Sequence, residues 1–304
     1  MHHLRIGINN SRVSLFAAQR IREQLEAAHD GLKVEFETYE TALGPTPGDP
    51  EAHVRALEEP LEKGRVDVIV HQLKEIPVRL PAQIRLVGVT ERLTPFDAFV
   101  SERYQLIDEL PEGARLGYTH LRQRAQLQIQ LRHLQLELIQ VLGSAEERLR
   151  QLGEQNLDGL IISADSLELV GRQESVSEVL GESMLLPRPG AGCLGFITRR
   201  EDPEIEELLK PVEDRTSRLE TMAERAFLDT LGGDPELALG ARAALDSQSM
   251  IVEGILSNTD GTVYIRDAIQ GPSHLAEELG RNLAKLLLAL GDEELHGLIP
   301  APSQ

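Results

Sequence analysis

Val66-Asp67-Val68-Ile69-Val70-His71-Gln72-Leu73-Lys74-Glu75-Ile76-Pro77-Val78-Arg79-Leu80 is the stretch around which this chain of 304 residues is organised. Val66 to Val70 reads as a short buried strand, broken only by Asp67. A histidine, a lysine and a glutamate follow within five positions, and Pro77 ends the turn. Ligands in open α/β sheets bind beyond the carboxyl ends of strands, and this end carries three groups able to hold or move protons. Read locally, the same pattern also describes a solvated turn after a core strand.

Outward from this stretch the pattern alternates strand and helix. Upstream, Leu4-Arg5-Ile6-Gly7-Ile8 reads as a first strand, Asn9-Asn10-Ser11 as a turn, and Ser11 as an N-cap. The helix behind it places Val13, Phe16, Ala17, Ile21 and Leu25 on one stripe. Leu32 to Thr38 alternates as a second strand. Leu43 to Pro50 holds three prolines and two glycines and reads as a loop. A helix from about Pro50 to Glu62, interrupted by Pro60, is expected next.

Downstream, Ile84 to Val89 reads as a strand, and Ala98 to Ser101 leads out of the first domain. Arg115 to His120, Leu136 to Val141 and Leu157 to Ser163 are expected strands. A long helix starts near Leu121 and a shorter one covers Glu146 to Leu152. Such alternation implies an α/β unit with a mostly parallel sheet. Met184 to Phe196 is a Pro/Gly-rich crossing that runs into a strand. Glu220 to Thr230 reads as a helix. Strands near Met250–Ile255 and Val263–Ile265 turn at Asn258-Thr259-Asp260-Gly261, and a last helix covers about His274 to Leu290.

Composition narrows the function classes. A hydrophobic share of 41% marks a globular chain. No apolar run approaches the roughly 18 residues of a membrane span, so no membrane role is expected. The N-terminus lacks an apolar signal region, which points to a cytoplasmic protein. The single cysteine, Cys193, rules out an intrachain disulfide and a cysteine metal cluster, and reads as a small buried residue. A formal charge of −19 disfavours nucleic acid, whose phosphates need a basic face. It also disfavours a polyanionic substrate unless cations gather in one cleft.

His71-Gln72-Leu73-Lys74-Glu75-Ile76-Pro77 resembles the His-Ser-x-Lys-Asp-x-Pro segment of the hydroxymethylbilane synthase (porphobilinogen deaminase) family. Glu91-Arg92-Leu93-Thr94-Pro95-Phe96-Asp97-Ala98-Phe99-Val100-Ser101 is similar to that family's Glu-Arg-x-x-Pro-x-Asp-Ala-Phe-Val-Ser. Ala223-Glu224-Arg225-Ala226 and the crossing at Pro187 to Gly195 resemble two further family blocks. The resemblance implies two similar periplasmic-binding-protein-like α/β domains with a hinge, plus a small α+β C-terminal domain. It places domain 1 at 1–98 and 194–214, domain 2 at 99–193 and domain 3 at 215–304.

The resemblance also implies an activity and shows where this chain departs from it. A family enzyme joins four porphobilinogen units into hydroxymethylbilane and releases ammonia. The growing chain sits on a dipyrromethane cofactor held by a thioether to a cysteine after a Gly-Gly pair. Here Gly232-Gly233 is present and Asp234 occupies the cysteine position. A carboxylate cannot make that thioether. The catalytic Asp of the family is Glu75, one methylene longer. Of the carboxylate-binding groups, Ser11, Lys74, Arg122 and Arg148 are retained. Asn9, Gln123 and Leu142 stand where the family has arginines, and Pro50-Glu51-Ala52-His53-Val54-Arg55 replaces a glycine-rich Gly-Lys-Gly-x-Phe motif.

The expectation is therefore a family member that no longer makes hydroxymethylbilane. It is expected to carry no cofactor or metal and to bind a small anion, a pyrrole or a protein partner; the sequence leaves the oligomeric state open, with a monomer favoured. The alternative is an active divergent synthase, with Glu75 as acid/base and dipyrromethane held in another way. A third reading is a small-anion binding module built on two hinged α/β domains.

Overall fold

The computed structural model of the chain describes residues 3–41, 52–234 and 237–299. The expected loop at 43–50 and the start of the helix at 50–51 lie outside the described residues. Two compact units emerge, one of Met1–Leu93 with Gly192–Arg218, the other of Thr94–Ala191 with Leu219–Gln304.

In chain order the first elements are β1 (His3–Asn9), α1 (Arg12–Ala28), β2 (Lys33–Tyr39), α2 (Ala52–Arg55), α3 (Glu58–Glu62), β3 (Val68–Gln72) and β4 (Ile84–Val89). Next come β5 (Asp97–Val100), β6 (Arg115–Tyr118), α4 (Leu121–Gln130), β7 (Glu137–Gln140), α5 (Ala145–Glu154), β8 (Gly159–Ser163), α6 (Ala164–Leu169) and β9 (Glu178–Leu180). The chain then runs through β10 (Leu194–Arg199), α7 (Pro203–Leu209) and α8 (Arg215–Thr230). It closes with β11 (Ala238–Asp246), β12 (Ser249–Ser257), β13 (Tyr264–Pro272), α9 (Ala276–Leu290) and α10 (Glu293–Gly297).

The first unit holds a five-stranded sheet in the order β2-β1-β3-β10-β4. β1 runs parallel to β2 and β3, and β10 runs antiparallel to β3 and β4. All five residues of β3 are buried, as a central strand covered on both faces requires. On β1, Leu4, Ile6 and Ile8 enter the core, and Gly7 lets Val66 approach: a Cβ there would lie 3.1 Å from Val66 Cγ2. α1 buries Ser14, Ala17, Ala18, Ile21 and Leu25. Val13 and Phe16 of the expected stripe sit at its edge, Phe16 beneath the Arg12 guanidinium at 5.4 Å.

The second unit repeats the plan. Its sheet runs β7-β6-β8-β5-β9, with β6 parallel to β7 and β8, and β5 antiparallel to β8 and β9. In each sheet the fourth strand comes from a crossing of the chain and runs against the others. The same unit carries the antiparallel meander β11-β12-β13. Phe227 of α8 and Leu283 and Leu287 of α9 pack there on Met250, Val252 and Leu256. Gly254 is needed at this seam, because a Cβ would meet the Phe227 ring at 2.8 Å.

Several sequence expectations shift. The organising strand runs from Val68 to Gln72, so His71 and Gln72 belong to the sheet. They pair with Gly195 and Leu194 of β10. The break in the 52–62 helix falls at Ala56-Leu57, and Pro60 sits in the first turn of α3, where its missing N–H costs nothing. The helix at Leu121 is ten residues long and ends in a tight turn at Arg132–Leu134. Asp97 and Ala98 belong to the second sheet. α8 starts at Arg215, and β9 and β11 have no counterpart in the sequence pattern. Among the described residues no helix is long and apolar enough to cross a membrane.

Candidate functional site

In the first unit, parallel pairing of β1 and β3 brings their carboxyl ends side by side. Asn9 and His71 meet there, both buried. Asn9 Oδ1 accepts the Ser11 backbone N–H at 3.0 Å, which turns Nδ2 toward His71 Nε2, 3.5 Å away. That contact leaves the ring proton on Nδ1, which faces Glu75 Oε2 at 3.7 Å. Ser11 caps α1 by accepting the Ser14 N–H at 3.0 Å. Glu75 and the buried Lys74 lie in the single 3₁₀ turn Leu73–Glu75. So Asn9, Ser11, His71 and Glu75 gather at the strand ends, with Lys74 next to Glu75 in the same turn. At 3.7 Å the histidine-carboxylate contact is an electrostatic approach, longer than a hydrogen bond.

Asn9 has a structural reason to differ from the arginine of the family motif. Its side-chain oxygen closes the β1–α1 turn on a backbone N–H two residues on, and an arginine has no acceptor. At the opposite, amino ends of β1 and β3, Asp67 lies between Arg5 and Arg199. Arg5 donates to it through its backbone N–H at 2.9 Å, Nε at 3.1 Å and an Nη at 2.8 Å. Burial pushes this carboxyl up. The Arg5 hydrogen bonds, then the charges of Arg5 and Arg199, outweigh burial and hold it below the usual carboxylate range.

In the second unit, α4 begins at the carboxyl end of β6 and carries Arg122 and Gln123. Arg122 is buried, with one Nη 2.7 Å from Asp97 Oδ2 and the other 2.7 Å from the Leu186 carbonyl. Gln123 is wholly buried. Its oxygen accepts from Thr119 N at 2.7 Å, Thr119 Oγ1 at 2.9 Å and His120 N at 3.1 Å, and its Nε2 donates to Asp97 Oδ1 at 2.7 Å. This glutamine occupies the N3 position of α4 and satisfies N–H groups that the helix leaves open. Arg188 donates to His120 Nε2 at 2.8 Å, which requires that nitrogen to be unprotonated.

α5 presents Arg148, half-buried, one turn in from its cap. Ser144 accepts the Glu147 N–H at 3.3 Å and Glu147 Oε2 accepts the Ser144 N–H at 2.7 Å, a reciprocal capping pair. The backbone and side-chain hydrogen bonds from Ser144 hold the Glu147 carboxyl below its usual range. Leu142, where the family motif has an arginine, is 53% exposed and offers no charge to a ligand.

The Gly232-Gly233 pair ends α8. Gly232 N donates to the Asp229 carbonyl at 3.1 Å and Gly233 N to the Leu228 carbonyl at 2.9 Å, with φ of 99° and 74°. This is a Schellman termination, which demands a left-handed residue and so selects glycine. Asp234 follows directly, half-buried, with an oxygen acid in place of a thiol. The one sulfhydryl, Cys193, lies in the core of the first unit beside Leu57, Ile69 and Ile197, buried as its composition suggested.

Sequence reasoning overlooked Asp97, Gln126 and Glu224 as organising groups. The signal for Asp97 lay in the Pro95-Phe96-Asp97-Ala98 block, and for Gln126 in a polar residue on the inner stripe of α4. Glu224 is wholly buried, accepting Gly190 N at 2.8 Å and Ala243 N at 2.9 Å.

Two open sheets of one strand order, each with polar groups gathered at strand ends, joined to an antiparallel meander, define a two-sheet α/β protein with a small α+β appendage. Residues 4–207 match the family model described as porphobilinogen deaminase, dipyromethane cofactor binding domain, and residues 218–289 match that of the porphobilinogen deaminase C-terminal domain. Porphobilinogen deaminase of Chromobacterium violaceum is 34% identical over 303 residues, covering 97% of each chain. That of Syntrophotalea carbinolica is 33% identical over 299 residues, covering 96% of this chain and 94% of its own. The chain belongs to the porphobilinogen deaminase family. Among solved structures, the methionine binding protein MetQ aligns with 69% of this chain and 89% of its own, at 17% identity and a TM-score of 0.46. A nutrient binding protein from Burkholderia cenocepacia aligns with 70% and 92%, at 14% identity and a TM-score of 0.45.

Proposed function

We propose that this protein keeps the family framework and has lost the family reaction, carrying no covalent dipyrromethane and not joining porphobilinogen units. The observation that carries this reading is Asp234. In the family motif the tethering cysteine follows the Gly-Gly pair, and the residue after Gly232-Gly233 here has no sulfur nucleophile. Cys193 is buried in another unit and is no substitute. The residues present therefore do not fit the cofactor that the family model's description names.

The carboxylate clamps support the same reading. Of the retained arginines, Arg122 gives one hydrogen bond from each terminal nitrogen to Asp97 and Leu186 and is held as a buried structural group. Gln123 and Asn9 accept backbone N–H groups and have become turn and cap residues. Ligand carboxylates cost several kcal/mol to bury without partners, so a protein with Asn9, Gln123 and Leu142 in place of arginines is suited to a smaller anion, a pyrrole or a protein partner. Ser11, Lys74 and Arg148 remain as the binding groups, and Glu75 as the acid.

One observation favours the alternative of an active divergent synthase. Glu75 keeps a carboxylate at the family's acid position, 3.7 Å from His71. Incubation of the purified protein with porphobilinogen decides between them. No loss of Ehrlich-reactive pyrrole and no porphyrin after oxidation are expected; consumption above the buffer blank would establish the synthase. Thermal shift against porphobilinogen and small dicarboxylates then separates an anion or pyrrole binder from a protein-binding member.

A further inference from the structure

We infer that residues 182–190 are a strap that fuses the second α/β sheet and the C-terminal meander into one cooperatively opening body. The strap is fastened on both sides. Toward α4, the Leu186 carbonyl accepts from Arg122 at 2.7 Å and from Gln126 Nε2 at 3.0 Å, while Leu186 N donates to Gln126 Oε1 at 2.7 Å. Toward the meander, Arg266 donates to the Glu182 carbonyl at 2.9 Å, and Ala241 N donates to the Pro187 carbonyl at 2.9 Å. Gly190 N donates to Glu224 Oε2 at 2.8 Å, and the same carboxylate holds Ala243 N of β11.

All but the Arg266 fastener are dry. Arg122, Gln126 and Glu224 are 2%, 1% and 0% exposed, so each hydrogen bond that opens leaves an orphaned buried group. The fit is also close. A Cβ on Gly240 would lie 2.6 Å from the Leu186 carbonyl oxygen. A second seam away from the strap works the same way: Gly261, at φ +70°, brings the β12–β13 turn against α4, where a Cβ would lie 2.4 Å from the Ala125 carbonyl. Two sheets joined by a buried polar strap and a second tight seam have no cheap plane along which to separate, so they open together. Arg122 is thereby a fastener, and Arg122, Arg148 and Asp234 keep fixed positions relative to one another.

Native-state hydrogen exchange of the full chain, resolved by peptide and followed over low denaturant, tests this. Amides of β6 and β8 and amides of β11 to β13 are expected to share one opening free energy and one denaturant dependence. Gln126→Leu is expected to speed exchange in both sheets by about tenfold, equivalent to about 1.4 kcal/mol, and to leave β1 and β3 unchanged. Independent opening of the meander in the unsubstituted protein would overturn the inference, as would an effect of Gln126→Leu confined to residues 115–163. Should that variant fail to fold, the denaturant series on the unsubstituted protein is decisive by itself.

Discussion

Arg122 and Asp97 form an ion pair at 2.7 Å with side chains 3% and 2% exposed, at the point where the family motif places a ligand-binding arginine. A guanidinium so enclosed is a structural group first. Removing one member of a buried pair strands the other and costs about 3–5 kcal/mol. Arg122→Ala is expected to lower the unfolding free energy by about that amount in denaturant titration. Any change in small-anion affinity should be no larger than the loss of folded protein explains.

Gln123 gives a sharper test, because it stands where the family motif has an arginine. Arginine has five donors and no acceptor. Gln123→Arg would orphan the Thr119 and His120 N–H groups now held by Gln123 Oε1. A loss of about 2–3 kcal/mol is expected, from buried donors left unpaired at about 1–3 kcal/mol each. A stable Gln123→Arg protein that binds carboxylates would show that the cap is dispensable and the clamp restorable.

Asp67 sets an acid limit on the first unit. Its carboxyl is held below the unfolded value by Arg5, so its stabilisation is complete above about pH 4 and is lost as pH falls through the folded value. The chemical-denaturation midpoint of the protein should therefore drop below about pH 4, and the Asp67→Asn variant should lose that part of the slope. Arg5 is 34% exposed, so the substitution is expected to cost about 2–3 kcal/mol at neutral pH, less than a fully enclosed pair.

The α8 terminus separates fold from chemistry. Gly232→Ala forces an L side chain into the left-handed region and should cost about 1–2 kcal/mol. Asp234→Cys lies beyond the cap and should fold normally, presenting a titratable thiol. Combined with Glu75→Asp, it asks how much of the reaction returns once sulfur and the shorter acid are restored. Porphobilinogen turnover at or below that of the parent is expected while Asn9 and Gln123 remain.

The sheets were legible where apolar runs are strong, as at Ile84 to Val89, and less so where pairing decides. His71 and Gln72 are polar, and local reading ends the strand before them. They are strand residues because Gly195 and Leu194 pair with them from more than 120 positions away. β11 escaped the sequence reading because Ala238-Leu-Gly-Ala-Arg-Ala-Ala-Leu is built of residues with helical or no preference. Its strand character comes from β12 alongside it.

The site shows the same division. Departures from the family motif were readable at Asn9, Glu75, Gln123 and Asp234. What those residues do instead was not, because it lies in contacts with distant backbone. Asp97 meets Arg122 across 25 positions and Leu186 meets Gln126 across 60. The Ser144–Glu147 cap, by contrast, had a signature at fixed spacing, Ser-x-x-Glu.

The intact mass of the purified full-length protein, paired with an Ehrlich colour reaction, probes the loss of the family reaction most directly. A mass equal to the polypeptide alone and no colour is the expected result. A mass raised by a covalently held dipyrrole, with colour, at Asp234, Cys193 or any other residue, would contradict it.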